Sequence, residues 1–403
     1  MERRQVLQLL AASASALAFA PARPASAAAA TAATAAAGGQ PRKVVVIGAG
    51  ILGAAIGYEL SKRGAEVTIL DRAGPAAATT GDSFAYLNAS TKASSRPYYT
   101  LNWLGMAGWH AWQNEPGAPL PLKWAGSVYW RDDAAKARQV AETLATVRGW
   151  GYAGQPVDAA QIRRLLPGVT VPGAPTGAFY PEEGSVDPAE AVRALLERAQ
   201  QHGATVRYPV EVTSLIVEDS QVRGVRTKDG ELRADTVVIA AGHGSQALAE
   251  SLGVALPLTA STGILVHTAP QPHFLDKVVF ASHNTFRQKV DGRVVISGSG
   301  HEGGGGPGSS PEEIGRGILA SAAQYLPQLR DAKIERVSFG QRVLPGDSFP
   351  IVGFAPKVSQ LYVAVSHSGV TLAPVIGRWA AAEILDGARV DLLDEGFRPD
   401  RFA

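Results

Sequence analysis

Cysteine is absent from this 403-residue chain, which removes disulfides, thiolate metal sites and cysteine nucleophiles from consideration. Net charge is almost absent as well. The 38 basic and 36 acidic residues leave only +2, too little for a strong pull toward nucleic acid or acidic surfaces. No histidines fall in an HExxH spacing or another metal-ligand pattern, and no GxSxG elbow occurs, so neither a metal nor a serine hydrolase is expected. Long apolar runs are missing too: the stretch 6–20 is short and rich in Ala and Ser, which excludes a stable membrane span. What is present is a globular composition, 46% hydrophobic against 18% charged, on a chain long enough for two domains or one large composite fold.

Arg3 and Arg4 precede that apolar stretch, and Pro24 is followed by Ala25-Ser26-Ala27, small residues of the kind a signal peptidase reads. This predicts a signal peptide over 1–27. Its adjacent arginines suggest the twin-arginine type, hence an exported bacterial protein and a partner in the twin-arginine machinery. Its loss would leave the chain formally neutral. The Ala/Thr/Gly-rich stretch 28–42 is expected to be a linker without a core of its own.

Order begins at Lys43. Val44-Val45-Val46-Ile47 is continuously apolar, as a strand buried on both faces of a parallel sheet must be. Gly48-Ala49-Gly50-Ile51-Leu52-Gly53 then opens a helical pattern that Gly64 stops, and 66–70 forms a second strand ending at Asp71. Further on, 103–112 and 189–202 predict helices, the second capped by Asp187. The segments 122–131, 258–268, 277–288 and 293–297 predict strands of an antiparallel sheet. Four consecutive glycines make 301–311 an expected loop, while 235–242 and 361–365 return to buried-strand character.

Gly48, Gly50 and Gly53 have the dinucleotide spacing: one permits the tight turn, one admits phosphate to the backbone, and one lets helix pack on strand. A diphosphate would sit over the helix N-terminus. Asp71 lies 23 residues after Gly48, placed to accept bonds from ribose hydroxyls and to repel an extra ribose phosphate. Strand, helix, second strand and acid together make the reading specific for a dinucleotide, without separating FAD from NAD.

Several separated motifs carry the identification further. Val44 to Asp71-Arg72 is similar to a nucleotide unit, and Ala78-Thr79-Thr80-Gly81-Asp82-Ser83-Phe84-Ala85-Tyr86-Leu87-Asn88 to a small-residue loop passing a pyrophosphate. Gly184-Ser185-Val186-Asp187-Pro188, Val212-Thr213-Ser214-Leu215 and the strand reaching Ala241-Gly242 follow in order. Gly340-Gln341-Arg342 through Pro350-Ile351-Val352-Gly353 and then Ser366-His367-Ser368-Gly369-Val370-Thr371-Leu372-Ala373-Pro374 complete the set. Across essentially all of 43–386 the chain resembles the D-amino acid oxidase family of flavoproteins, which includes glycine oxidase, sarcosine oxidase and D-amino acid dehydrogenase.

The resemblance implies an α/β fold: a Rossmann-type FAD-binding domain (43–90, 181–256, 336–403) interleaved with an antiparallel-sheet substrate domain (91–180, 257–335). It implies FAD, non-covalent because cysteine is absent and the small-residue loop lacks histidine. Gly48, Gly50, Ile51, Leu52, Gly53, Asp71 and Arg72 are the implied nucleotide contacts, with Val212 at the adenine. Thr79, Thr80, Ala85, Tyr86, Ala241 and Gly242 run along the cofactor. The amides of Val370, Thr371 and Leu372, after Gly369, would face the flavin charge. Arg342 is expected to fork onto a substrate carboxylate, with His367 beside flavin or substrate.

The implied activity is hydride transfer from the C–N carbon of a small amino acid or amine, with hydrolysis of the imine. Electrons would pass to oxygen or, alternatively, to a quinone or carrier protein; a non-catalytic flavoprotein is the other alternative. Two departures stand out. Bulkier residues occupy Phe84-Ala85-Tyr86 where the family usually has Gly, and Leu344-Pro345-Gly346-Asp347-Ser348 differs from the common Thr-Pro pattern.

Overall fold

The computed structural model describes residues 40–298 and 309–403. The expected signal peptide, nearly all of the linker and the glycine run of the expected loop lie outside them. Among the described residues no helix is long and apolar enough to cross a membrane.

Val44 to Ile47 is apolar throughout because both of its faces are covered. The strand Lys43–Ile47 sits inside a six-stranded sheet, between Thr236–Ile239 and Glu66–Leu70, both parallel to it. Leu361–Val365 and the antiparallel Ile351–Phe354 extend one side, and Thr205–Arg207 closes the other. On one face Val44, Val46 and Ile69 pack beneath the helices Ile51–Lys62, Pro188–Gln201 and Gly369–Asp386. On the other, Val45, Ile47 and Val237 meet the meander of Val212–Glu218, Gln221–Thr227 and Gly230–Arg233 through Leu215, Val222 and Val225. Small residues set the spacing of these layers. A side chain at Gly57 would come within 2.4 Å of Ile69, and one at Gly377 within 2.8 Å of the Ala55 carbonyl.

The second large sheet has eight strands, in the order Ile334–Pro345, Leu258–Thr268, Val294–Gly298, Asn284–Gln288, Val278–Phe280, Ser127–Arg131, Thr176–Tyr180 and Gln155–Val157. Alternation divides it into two faces. Val266, Ile296, Phe286, Val279, Val128 and Trp130 turn into a core roofed by the helix Pro311–Ala323. Cross-strand partners share a face, so the register carries the opposite face from Arg342 and Ser261 through Leu265, Ser297, Thr285 and Phe280 to Tyr129. This second face meets the nucleotide half. The Arg287 Nε donates to the Phe84 carbonyl at 2.6 Å, and Gly340 lies so close to Asp82 that an added Cβ would sit 2.8 Å away.

Four sequence expectations change. The strand expected over 122–131 is two: Gly126 turns the chain at φ +82°, placing Leu122–Trp124 in a small sheet with Gly184–Val186 and Tyr86–Leu87. The strand expected over 277–288 is a hairpin turning at Ala281 to His283. Pro311, assigned to a loop, starts a helix whose capping box joins Ser310 and Glu313. The expected boundary at 336 falls inside Ile334–Pro345, which pairs with Leu258–Thr268 and thus belongs to the eight-stranded sheet.

Candidate active site

The turn after the first strand is shaped by close backbone contacts. Gly48 has φ +109°, and a Cβ there would lie 2.5 Å from the Ala240 carbonyl. At Gly53 it would lie 1.9 Å from the Gly48 carbonyl. Around Gly50 only the Thr80 hydroxyl comes near, at 3.2 Å, so the backbone stays approachable over the N-terminus of Ile51–Lys62. The Thr80 hydroxyl accepts the Ile51 amide at 3.2 Å. Asp71 clamps the turn: Oδ2 accepts from Ala49 at 2.8 Å, while Oδ1 accepts from Ala73 and Gly74 at 2.9 and 2.8 Å. Arg72 is exposed beside it. Val212 begins the meander strand and packs partly on its core. Ala241 and Gly242, the latter at φ +57°, follow the strand against which Gly48 rests.

A second helix N-terminus abuts the first. A Cβ on Gly369 would lie 3.4 Å from Leu52. No side chain caps the helix Gly369–Asp386, and the Leu372 amide bonds back to the Ser368 carbonyl at 3.1 Å. The orphan amides are therefore those of Gly369, Val370 and Thr371, one residue earlier than the sequence suggested, because Ser368 is the cap. This turn is held from behind. Trp109 Nε1 donates to the Val370 carbonyl at 2.9 Å, and Gly105 leaves room for the Thr371 carbonyl. The Thr371 hydroxyl donates to the Tyr86 carbonyl at 3.1 Å.

Ala85 sits in the left-handed region that glycine favours, with φ +55°. Its Cβ therefore adds strain at this point of the loop. Thr79 does not turn its hydroxyl proton toward the cradle; it donates to the Gln341 carbonyl at 2.8 Å, tying the loop to the eight-stranded sheet.

Arg342 is exposed on the inner face of that sheet. Its Nη1 donates to the Ser261 hydroxyl at 3.3 Å and the Thr262 carbonyl at 3.1 Å, and no carboxylate pairs with it among the described residues. Gly263 allows the guanidinium to lie flat, since a Cβ there would be 2.7 Å from Nη2. His367 is exposed, yet burial by surrounding atoms and then the charges of Lys92 and Arg342 hold its pKa down to about 4. It is neutral at ordinary pH. Lys92 carries its ammonium 5.3 Å from the Tyr98 ring, whose hydroxyl donates to Ser368 at 2.7 Å; burial lowers its pKa to about 8. Gly263 and Lys92 were missed in the sequence. Lys92 sits in a short 3-10 turn with no motif to mark it, and Gly263 reveals its use only through the register with Gly340.

The geometry is that of a dinucleotide cradle beside an uncapped helix end and a polar sheet face. Residues 43–383 match the family model described as FAD dependent oxidoreductase. The chain belongs to that family.

The bifunctional protein ThiO/ThiG of a Synechocystis strain is 28% identical to this oxidoreductase over 387 residues. That match takes in 89% of this chain and 54% of the relative, so the chain spans about half the length of that protein. The D-amino acid dehydrogenase of Paramagnetospirillum magneticum is 26% identical, with 89% and 99% covered. Among solved structures, the glycine oxidase from Bacillus cereus superposes with a TM-score of 0.78 at 22% identity, covering 88% of this chain and 97% of that one. The fold is thus that of glycine oxidase.

The cofactor of this oxidoreductase is FAD, and the site fits it. The opening at Gly50 suits a diphosphate, and the uncapped amides of Gly369, Val370 and Thr371 suit a ring system that becomes negative on reduction.

Proposed function

We propose that this oxidoreductase oxidises the C–N bond of a small amino acid. The observation that carries the reading is Arg342, a guanidinium without an acidic partner among the described residues, whose charge bears on His367 just before the helix end at Gly369. A carboxylate forked onto Arg342 would be oriented as well as attracted. FAD, when bound, supplies the hydride acceptor. The protein's own part is electrostatic. Arg342 and Lys92 favour loss of the substrate's ammonium proton, because nearby positive charge disfavours a further cation. His367, kept neutral by burial first and then by those same charges, adds none. The nitrogen lone pair then drives hydride departure, and water hydrolyses the resulting imine.

The names of the relatives support this substrate class, both the D-amino acid dehydrogenase and the glycine oxidase. Oxygen is proposed as the electron acceptor, and oxygen consumption measured against dye reduction decides this. The basic, apolar and small-residue succession of 1–27 supports twin-arginine export.

The test is anaerobic flavin bleaching by a panel of amino acids, N-methyl amino acids and simple amines, repeated with Arg342→Ala. The expected result is bleaching by a carboxylate-bearing substrate. Its KM should rise about 100-fold in the variant, as loss of a charge-assisted pair costs about 2–3 kcal/mol, while plain amines change little. Equal effects on both classes, or bleaching by none, would end the reading.

A further inference from the structure

Behind the cofactor loop lies an acid that the reaction does not use. Glu183, in the turn before Gly184–Val186, is completely buried. Its Oε1 accepts from the Ser90 amide and the Tyr152 hydroxyl, each at 3.1 Å. Its Oε2 touches the hydroxyls of both Tyr86 and Ser127. No cation pairs with it among the described residues. The surrounding groups are phenols: Tyr129 donates to the Tyr86 hydroxyl at 3.1 Å, and Tyr152 and Tyr180 pack alongside. Among charged side chains, Glu182 bears on Tyr152 and Arg131 on Tyr129, and neither bears on the acid.

The hydroxyls of Tyr86 and Ser127 also lie 2.9 Å from one another, so they form a closed triangle of oxygens with Glu183 Oε2. Every polar neighbour of the carboxyl is a hydroxyl or an amide, and none carries a positive charge. A completely buried carboxyl without a counter-charge costs less protonated than ionised, and the surrounding hydroxyls, which accept as well as donate, can take its proton. Tyr86 is the member tied to the helix end at Gly369: its carbonyl accepts from Thr371, and its ring lies 4.9 Å from Phe280 on the inner face of the large sheet.

We propose that Glu183 is held as an uncharged carboxylic acid and acts as the positioning residue for Tyr86, fixing that ring against the flavin cleft without placing a negative charge behind it. A buried carboxylate there would oppose both the substrate anion and the charge that develops on reduction, with little solvent to screen it. Burial acts in the same direction, pushing the Glu183 carboxyl well above its usual range.

The inference rests on the flavin-cleft reading but not on the identity of the substrate, and its test uses FAD-loaded protein with no substrate added. Infrared difference spectra of wild type against Glu183→Gln should show the carbonyl band of a protonated acid. The band should hold its intensity from about pH 6 to about pH 9 and move in Tyr86→Phe, which removes one corner of the triangle and both of its contacts there. The flavin reduction potential should be the same in Glu183→Gln as in wild type, since one neutral group replaces another. A carboxylate signature in place of the acid band would overturn the proposal. So would a potential that rises in Glu183→Gln, as it must when a negative charge is removed. If Glu183→Gln fails to fold, the pH series on wild type with labelled glutamate gives the same decision. A failed substrate panel would leave these results standing.

Discussion

At Ala85 a non-glycine residue holds a left-handed backbone angle. An L-residue in the left-handed region costs about 1–2 kcal/mol, and Ala85 sits there at φ +55° with its Cβ buried. Glycine removes that cost, though it brings a more flexible unfolded chain that offsets roughly half of it. Ala85→Gly should therefore raise stability by about 0.5–1 kcal/mol, seen as a higher denaturant midpoint at unchanged slope. A lower midpoint would mean that the Cβ packs well enough to outweigh the strain. The position was legible in the sequence as a departure from the usual glycine; the left-handed geometry was not, because φ is decided by the contacts on either side. Lys92 was less legible still. Its place beside Tyr98 and His367 is created by the fold, whereas Arg342 stood inside a motif.

Elements with one uninterrupted pattern were read closely: Glu66–Leu70, Leu258–Thr268 and Leu361–Val365 have the extents that their apolar or alternating residues suggest. Patterns crossed by a turn were not. Gly126 and the Ala281 to His283 turn interrupt β-favouring runs without interrupting their hydrophobicity, so periodicity passes over both. The helix Ala134–Gly149 was missed because it buries only Leu144 and Val147, too thin a stripe to detect. The helix that matters most chemically is Gly369–Asp386, whose orphan amides at Gly369, Val370 and Thr371 are available to the cofactor. Proline is tolerated sterically in a first turn and deletes one amide. Thr371→Pro should weaken FAD binding about tenfold, since a hydrogen bond to a charged group is worth about 1.5–3 kcal/mol. Thr371→Val serves as the control that removes only the hydroxyl bond to Tyr86. Flavin titration of the apoprotein checks both, and equal affinities for the proline and valine variants would remove the helix end from the account.

Across the whole molecule, the two sheets are assembled from alternating stretches of chain, and this interleaving was visible in the order of the motifs. The strand Ile334–Pro345 was harder to place, because its second half carries a cofactor-family motif while its pairing belongs to the other sheet. Its inner face brings Arg336 into the same row as His267 and Arg287, and that row has a consequence for acid stability. Burial first, then Arg336, Lys289 and Arg287, with Asp187 in opposition, depress the His267 pKa to about 4; His367 is depressed to about 4 as well. Both rings are neutral in the folded protein at pH 6, whereas in the unfolded chain they take up protons below about pH 6.5. The unfolded state then binds more protons, so stability falls as pH drops from about 6.5 toward 4. Carboxylates paired in the folded state, such as Asp347 with Arg401, add their losses only lower, below the usual carboxylate range. His267→Gln keeps a polar group facing Ser338 but cannot take a proton. Thermal unfolding followed from pH 7 to pH 4.5 should show the variant losing less than wild type, by on the order of 1 kcal/mol at the acid end. Parallel curves would mean that the row of cations leaves His267 free to charge without cost.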